Sequence, residues 1–147
     1  MDLKIKRIDR DGKKPPLPCY GSEGAAGIDL TAFINEEITI IPTEITLVPT
    51  GICVEIPIGY VGLLFVRSSL GVKHGITLSN SVGVIDSDYR GEIKIGLCNT
   101  SSLKYTIQQG DRIAQLVLIP YLKVNVNEVE ELSSTERNQG GFGSTGR

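Results

Sequence analysis

Short β-branched runs, each closed by proline or glycine, recur along this chain and leave little room for helix. Ile38 to Ile41, Glu44 to Val48, Ile52 to Ile56 and Tyr60 to Val66 are bounded by Pro42, Pro49-Thr50-Gly51 and Pro57-Ile58-Gly59. Branched side chains lose rotamer freedom in a helix but pack well on a pleated surface, and Pro and Gly supply the turns between such runs. Met1 to Ile8 alternates apolar Leu3 and Ile5 with Lys4 and Lys6, as an edge or N-terminal strand would. Ile76 to Leu78, Glu92 to Cys98, Tyr105 to Ile107, Ile113 to Ile119 and Lys123 to Val129 complete the set. The pattern predicts an all-β domain, a sandwich, jelly roll or barrel, with at most one short helix.

That helix is expected within Arg67 to Gly75, with Ser68 or Ser69 as N-cap and Gly75 just past the end. Two readings stay open for it. It is a capped surface helix carrying a stray Arg, or its free N–H groups, two serines and Arg67 form a phosphate cradle.

A second stretch, Gly83-Val84-Ile85-Asp86-Ser87-Asp88-Tyr89-Arg90-Gly91, reads as a β-hairpin leading out into Glu92 to Ile95. Turns favour Asp because its side chain bonds nearby backbone N–H groups, so Asp86 and Asp88 have a purely structural reading. The other reading is a tip that presents carboxylate and aromatic chemistry.

The 147 residues suffice for one domain with a core. A net charge of −2 and a pI near 5.4 argue against a general nucleic-acid surface, so a polyanion would need local Arg and N–H pockets. Cys19, Cys53 and Cys98 are widely spaced, the only histidine is His74, and no metal-ligand spacing appears. Scattered thiols without a signal peptide lead us to expect an intracellular protein (cytoplasmic, nuclear or viral), and no apolar run has membrane-spanning length. Asn99-Thr100-Ser101 matches a glycosylation sequon and is read as chance.

After residue 128 the composition turns acidic and then Gly-rich, so 1–128 is expected to be the β domain and 129–147 a flexible tail. Gly141, Gly143 and Gly146 fit a dinucleotide fingerprint formally, but such a fingerprint needs a helix after it and none is expected here, so the match is set aside. The tail is disordered, or its Phe, hydroxyls and Arg form a lid over a base and phosphates.

Taken together, five segments resemble the motifs of the trimeric dUTP diphosphatase (dUTPase) family, in the family's order and over nearly the whole chain. They are Ala26-Gly27-Ile28-Asp29-Leu30-Thr31-Ala32, Arg67-Ser68-Ser69-Leu70, Gly83 to Gly91, Gly110-Asp111-Arg112-Ile113-Ala114-Gln115-Leu116, and Gly141-Phe142-Gly143-Ser144-Thr145-Gly146 with Arg137 upstream. The resemblance implies a distorted jelly-roll (β-clip) fold, a homotrimer with active sites shared between subunits, and hydrolysis of dUTP to dUMP and pyrophosphate. Such a reaction keeps uracil out of DNA and supplies dUMP for thymidylate synthesis. Neither nucleic acid nor membrane is expected as a partner. The nearest rival is a dCTP deaminase-like or bifunctional enzyme of the same fold.

Residue by residue, the resemblance implies that Asp86 is the general base for water attacking the α-phosphorus. Tyr89 is to lie under the deoxyribose, leaving no room for a 2′-hydroxyl. Uracil is to be read by main-chain groups from Asn80 to Val84, including Gly83, with the Asn80 amide as a donor. Arg67, Ser68, Ser69 and Gln115 are the implied phosphate ligands. Arg137, Gly143, Ser144 and Thr145 are to close on the γ-phosphate while Phe142 stacks on the base. Asp29 and Arg112 are to brace the site, and Asp88 stays a turn or salt-bridge residue. Mg²⁺ is to be held by phosphate oxygens and water, with no direct protein ligand. Three positions depart from the family pattern: Ile28 for a common Tyr, Val66 for a small residue, and Asn138 for a Gly after Arg137, which stiffens the tail's hinge.

Overall fold

The computed structural model describes residues 1–141. In chain order its strands begin with β1 (Lys4–Arg7), β2 (Cys19–Tyr20), β3 (Ile28–Thr31), β4 (Ile38–Ile40), β5 (Ile45–Pro49), β6 (Ile52–Glu55) and β7 (Tyr60–Val66). Helix α1 (Ser68–His74) follows, then β8 (Ile76–Leu78), β9 (Gly83–Ile85), β10 (Lys94–Asn99), β11 (Tyr105–Ile107) and β12 (Arg112–Pro120). The all-β expectation, with one short helix, holds. No described helix is long and apolar enough to cross a membrane.

Every strand pairing is antiparallel. The strands form a five-stranded sheet ordered β2-β3-β12-β7-β9, a three-stranded sheet ordered β5-β10-β8, and the pairs β1-β6 and β11-β4. Period-2 alternation decides which side chains face inward. In β10, Ile95, Leu97 and Asn99 are buried while Lys94 is exposed, and in β3 Ile28 and Leu30 are buried while Asp29 and Thr31 turn outward. Ile40, Ile76, Leu97 and Ile107 are fully buried in the common core, together with Leu30 and Ile95.

Four expectations are corrected. Gly83 to Ile95 is not a hairpin, because β9 pairs with β7 whereas β10 pairs with β5 and β8. The Asp86 stretch therefore crosses between two sheets, with Gly83 of β9 seated against Leu64 of β7 and Ile95 of β10 opposite Val48 of β5. Lys123 to Val129 is not a strand: Tyr121 to Gly141 contains no strand or helix, and Val124 and Val126 are 72% and 93% exposed. An alternating pattern needs a partner edge, and this segment pairs with none among the described residues. The N-cap of α1 is Arg67, extended at φ −73° and ψ 141° and without a side-chain capping bond, so Ser68 and Ser69 are the first helical residues. Finally, β2 and β3 are strands to which the sequence reading assigned no regular structure. Both are short, and β3 carries Asp29 in place of a clean β pattern.

Asn99 is fully buried. Its amide donates to the carbonyls of Ile40 (2.9 Å) and Leu103 (2.7 Å), and its oxygen accepts from Ser101 N and Oγ (2.9 and 2.8 Å). The sequon asparagine is thus a core polar residue with both ends satisfied.

Candidate active site

Strand register assembles one half of the site. Asp29 on β3 faces Gln115 on β12, and Gln115 in turn faces Phe65 on β7. Gly27 makes this approach feasible, since a Cβ there would come within 2.6 Å of Gln115 Oε1. The Asp29 side chain is 11% exposed and lies between two guanidinium groups, Arg67 Nη1 at 2.5 Å from Oδ1 and Arg112 Nη1 at 3.2 Å from Oδ2. The Arg112 contact is also a hydrogen bond. Arg67 Nη1, although buried, meets no acceptor in hydrogen-bonding alignment, so its contact with Asp29 is one of charge alone.

Helix α1 begins at this cluster. Arg67 O accepts from Leu70 N and Gly71 N, Ser68 and Ser69 are exposed in the first turn, and Gly75 closes the helix at φ 65°. An open cleft of about 230 Å³ is lined by Arg67, Ser69, His74, Tyr105, Asp111 and Arg112. Tyr105 packs on His74 with ring centroids 4.8 Å apart. Burial, with a smaller push from the Asp111 charge, raises the pKa of its hydroxyl, which stays a proton donor across the neutral range.

The other half lies on the crossing between sheets. Gly83 faces Leu64 so closely that a Cβ would come within 2.9 Å of the Leu64 side chain, whereas Val84 is 60% exposed. Asn80 and Ser81 lie on the exposed turn before β9, with Ser81 at φ 62°. Asp86, Ser87, Asp88 and Tyr89 form a turn closed by Tyr89 N donating to Asp86 O (3.2 Å), and Arg90 Nη1 donates to Ser87 O (2.7 Å). The Asp86 carboxylate is exposed and makes no ion pair or hydrogen bond among the described residues. Asp88 takes the turn part of its expected role. A cleft of about 440 Å³ is lined here by Leu47, Val84, Asp86, Tyr89, Glu92 and Lys94.

Behind the turn lies a group that reading the sequence missed. Tyr89 Oη donates to Glu92 O at 2.9 Å, and Glu92 Oε1 accepts from Arg10 Nη2 and Gly51 N, both at 2.7 Å. Arg10 is presented by Asp11-Gly12, which has positive φ at both residues (53° and 77°) and is closed by bonds between Arg10 and Lys13. Asp-Gly is a strong two-residue turn signal, and it was legible in the sequence. Gly51 was legible only as a breaker; it has φ 68°, and a Cβ there would strike the Phe33 ring.

In the tail, Asn138 takes φ 41°, a left-handed conformation that Asn tolerates better than most residues. It exchanges two bonds with Thr135, at 2.9 and 3.0 Å, and Arg137 Nε donates to Gly140 O at 2.8 Å. Phe142, Gly143, Ser144 and Thr145 lie outside the described residues.

The two halves do not meet within one chain. Continuing the β9 register places Asp86 opposite Val61, and both line one depression. Arg67, extended and just past the end of β7, lies six residues beyond Val61, which at 3.3 Å per residue is about 20 Å away.

The family model described as dUTPase matches residues 13–146. The deoxyuridine 5′-triphosphate nucleotidohydrolase of Finegoldia magna is 51% identical over 144 residues, covering 98% of this chain and 99% of that relative. The enzyme of that name from Wolbachia pipientis subsp. Culex pipiens is 48% identical over 149 residues, covering 100% and 97%. Among solved structures, the Staphylococcus bacteriophage 80alpha dUTPase with dUpNHpp matches with a TM-score of 0.87 at 29% identity, over 99% of both chains. A mutant dUTPase from phage phi11 of S. aureus, described for its coordination of a structural Mg(II) ion, matches with a TM-score of 0.79 at 26% identity, over 91% of this chain and 100% of that one.

Proposed function

The chain belongs to the dUTPase family and hydrolyses dUTP, and from that premise we propose that Asp86 is the general base and that each site is completed by other copies of the chain. The exposed Asp86 carboxylate carries this reading. It stands on a short turn fixed at both ends, beside an aromatic ring, with no cation to neutralise it among the described residues. A base must keep its lone pairs free for water, and a positioned one contributes ~10²–10⁴ in rate. Water held there attacks the α-phosphorus; its proton passes to the Asp86 carboxylate, and pyrophosphate leaves.

Tyr89 forms the floor under the deoxyribose, with its hydroxyl turned back to Glu92 O. Main-chain groups from Asn80 to Val84 read uracil, aided by the Asn80 amide, because a fixed donor and acceptor strip rejects a mismatched base edge. Arg67, Ser68, Ser69 and Gln115 hold phosphate oxygens. The exposed serines that open α1 and the arginine at its N-cap support this, since unpaired helix N–H groups and a guanidinium favour an anion. Asp29, itself bonded by Arg112, holds Arg67 in place. Arg137, Gly143, Ser144 and Thr145 close on the γ-phosphate, and Phe142 stacks on the base.

dUTPases use Mg²⁺. Among the described residues no three His, Cys, Asp or Glu side chains are grouped to hold a metal, and the donors assigned to the triphosphate are Arg, Ser and Gln. This donor set fits an ion carried on phosphate oxygens and water, where it would draw off negative charge.

The ~20 Å between Asp86 and Arg67 along one chain, too far for both to serve one phosphorus, supports the reading that sites are shared within a homotrimer. Asp86→Asn chains and Arg67→Met chains, each expected to be inactive alone, test it. Refolded as a mixture, they should recover part of the wild-type dUTP turnover, because some sites then combine two intact halves. A mixture as inactive as its components would place the whole site within one chain and overturn the shared-site reading.

A further inference from the structure

We propose that Arg10 and Glu92 are positioning residues that set the ring of Tyr89, and through it the choice of deoxyribose over ribose, a role that rests on the assignment of Tyr89 to the sugar. Glu92 joins two functions in one residue. Its backbone carbonyl accepts the Tyr89 hydroxyl at 2.9 Å, and its carboxylate, 11% exposed, accepts from Arg10 Nη2 and Gly51 N at 2.7 Å each. A carboxylate so nearly buried is held where its donors are, and the carbonyl that fixes the ring moves with it.

Each donor is itself fixed. Arg10 Nη1 donates to Phe33 O at 2.6 Å and the guanidinium lies 5.0 Å from the Phe33 ring centroid, so the planar fork serves two acceptors at a set angle. Its backbone is clamped by the Asp11-Gly12 turn. Gly51 is pinned on both sides, its N–H given to Glu92 and its carbonyl accepting from Ile8 N at 2.8 Å. Next to Glu92, Ile93 N donates to Ile52 O at 2.8 Å and Ile93 O accepts from Thr50 Oγ1 at 2.6 Å. The ring closes over Gly91, where a Cβ would collide with the Tyr89 phenol. Three segments distant in sequence therefore converge behind one exposed aromatic ring.

A wall that excludes a hydroxyl by contact discriminates only while it stays in place. Releasing Glu92 lets the ring drift and makes room for a 2′-hydroxyl. The ratio of kcat/KM for dUTP to that for UTP reads this directly, whereas general damage to the fold lowers both values together. Glu92→Ala and Arg10→Lys should each lower the ratio by roughly tenfold or more, the size of effect expected from displacing a positioned group by a fraction of an ångström to 1 Å. Glu92→Gln should retain most of it, since the amide oxygen still accepts from Arg10 and Gly51. If Glu92→Ala does not fold, Arg10→Lys, which keeps charge and stem but loses the fork, decides the matter. An unchanged ratio in folded Arg10→Lys protein overturns the proposal. Tyr89→Ala separates the two levels. If it collapses the ratio while the Arg10 and Glu92 variants do not, the latch alone is wrong; if it leaves the ratio intact, the sugar role of Tyr89 falls and the latch with it.

Discussion

Asp29 stands on β3 between two guanidinium groups with its side chain 11% exposed, while Asp86 stands on an exposed turn with no cation in contact among the described residues. Both were singled out in the sequence; Asp29 lies within β3 and Asp86 directly follows β9, two strands of the same five-stranded sheet. Their surroundings divide their work. A carboxylate held by two arginines has its charge committed, and can serve as a fixed anion that sets guanidinium geometry. A free one can orient a water molecule and accept its proton. Motif position alone would not separate the two proposed roles, and the partners support the division.

The sharpest way to break this contrast is Asp86→Asn. The amide keeps the size and turn geometry but cannot take a proton, so dUTP turnover should fall by ~10²–10⁴. Binding of a non-hydrolysable analogue such as dUpNHpp should stay near wild type, and so should Tm, because the side chain makes no contact that holds the fold. Turnover within a factor of a few of wild type would remove Asp86 as the base.

Asp29→Asn should show the reverse balance. Loss of the charge leaves Arg67 and Arg112 without their shared counter-ion. Breaking a fully buried pair costs about 3–5 kcal/mol; with Arg112 57% exposed and Arg67 27% exposed, solvent screening reduces this to about 1–3 kcal/mol. For a chain of this length that lowers Tm by roughly 3–10 °C. Turnover should drop through a raised KM, since Arg67 loses its orientation. A variant with unchanged Tm and KM would show that the cluster braces nothing.

The same two residues show what was legible beforehand. Period-2 alternation in β10 and turn residues around β5 to β7 revealed strands because those strands bury one face in the core. Asp86 was found through its neighbours in the motif, and its turn was placed correctly, but its hairpin was not. Strand pairing is a choice among partners remote in sequence, and β9 matches β7 while β10 matches β5 and β8. The Lys123 to Val129 pattern misled for the converse reason: alternation states which face could be buried, not whether a partner is at hand. Asp29 was expected to brace the site together with Arg112, yet its closer contact is Arg67, which directly follows β7 as the N-cap of α1. The Glu92 latch escaped notice because each member looked ordinary alone.

Glu55 supplies the remaining comparison, a carboxylate that is paired yet exposed. Lys4 Nζ lies 2.7 Å from its Oε1 across the β1-β6 pair, with side chains 73% and 45% exposed. The hydrogen bond from Lys4, then its charge, holds the Glu55 pKa below the ordinary 4.5. A lowered folded-state pKa means that any stabilisation is present above about pH 4.5 and is lost as pH falls through the folded-state value. In water the ion pair is screened and both long side chains lose freedom in forming it, so the net gain is small. Glu55→Gln should therefore leave Tm at neutral pH within measurement error of wild type, and any residual difference between the melting curves should vanish as pH falls through the folded-state value. A fall in Tm as large as that of Asp29→Asn would mean that pairing by itself, regardless of burial, decides which carboxylates hold this fold. Coincident curves would leave burial as the factor that makes Asp29 structural.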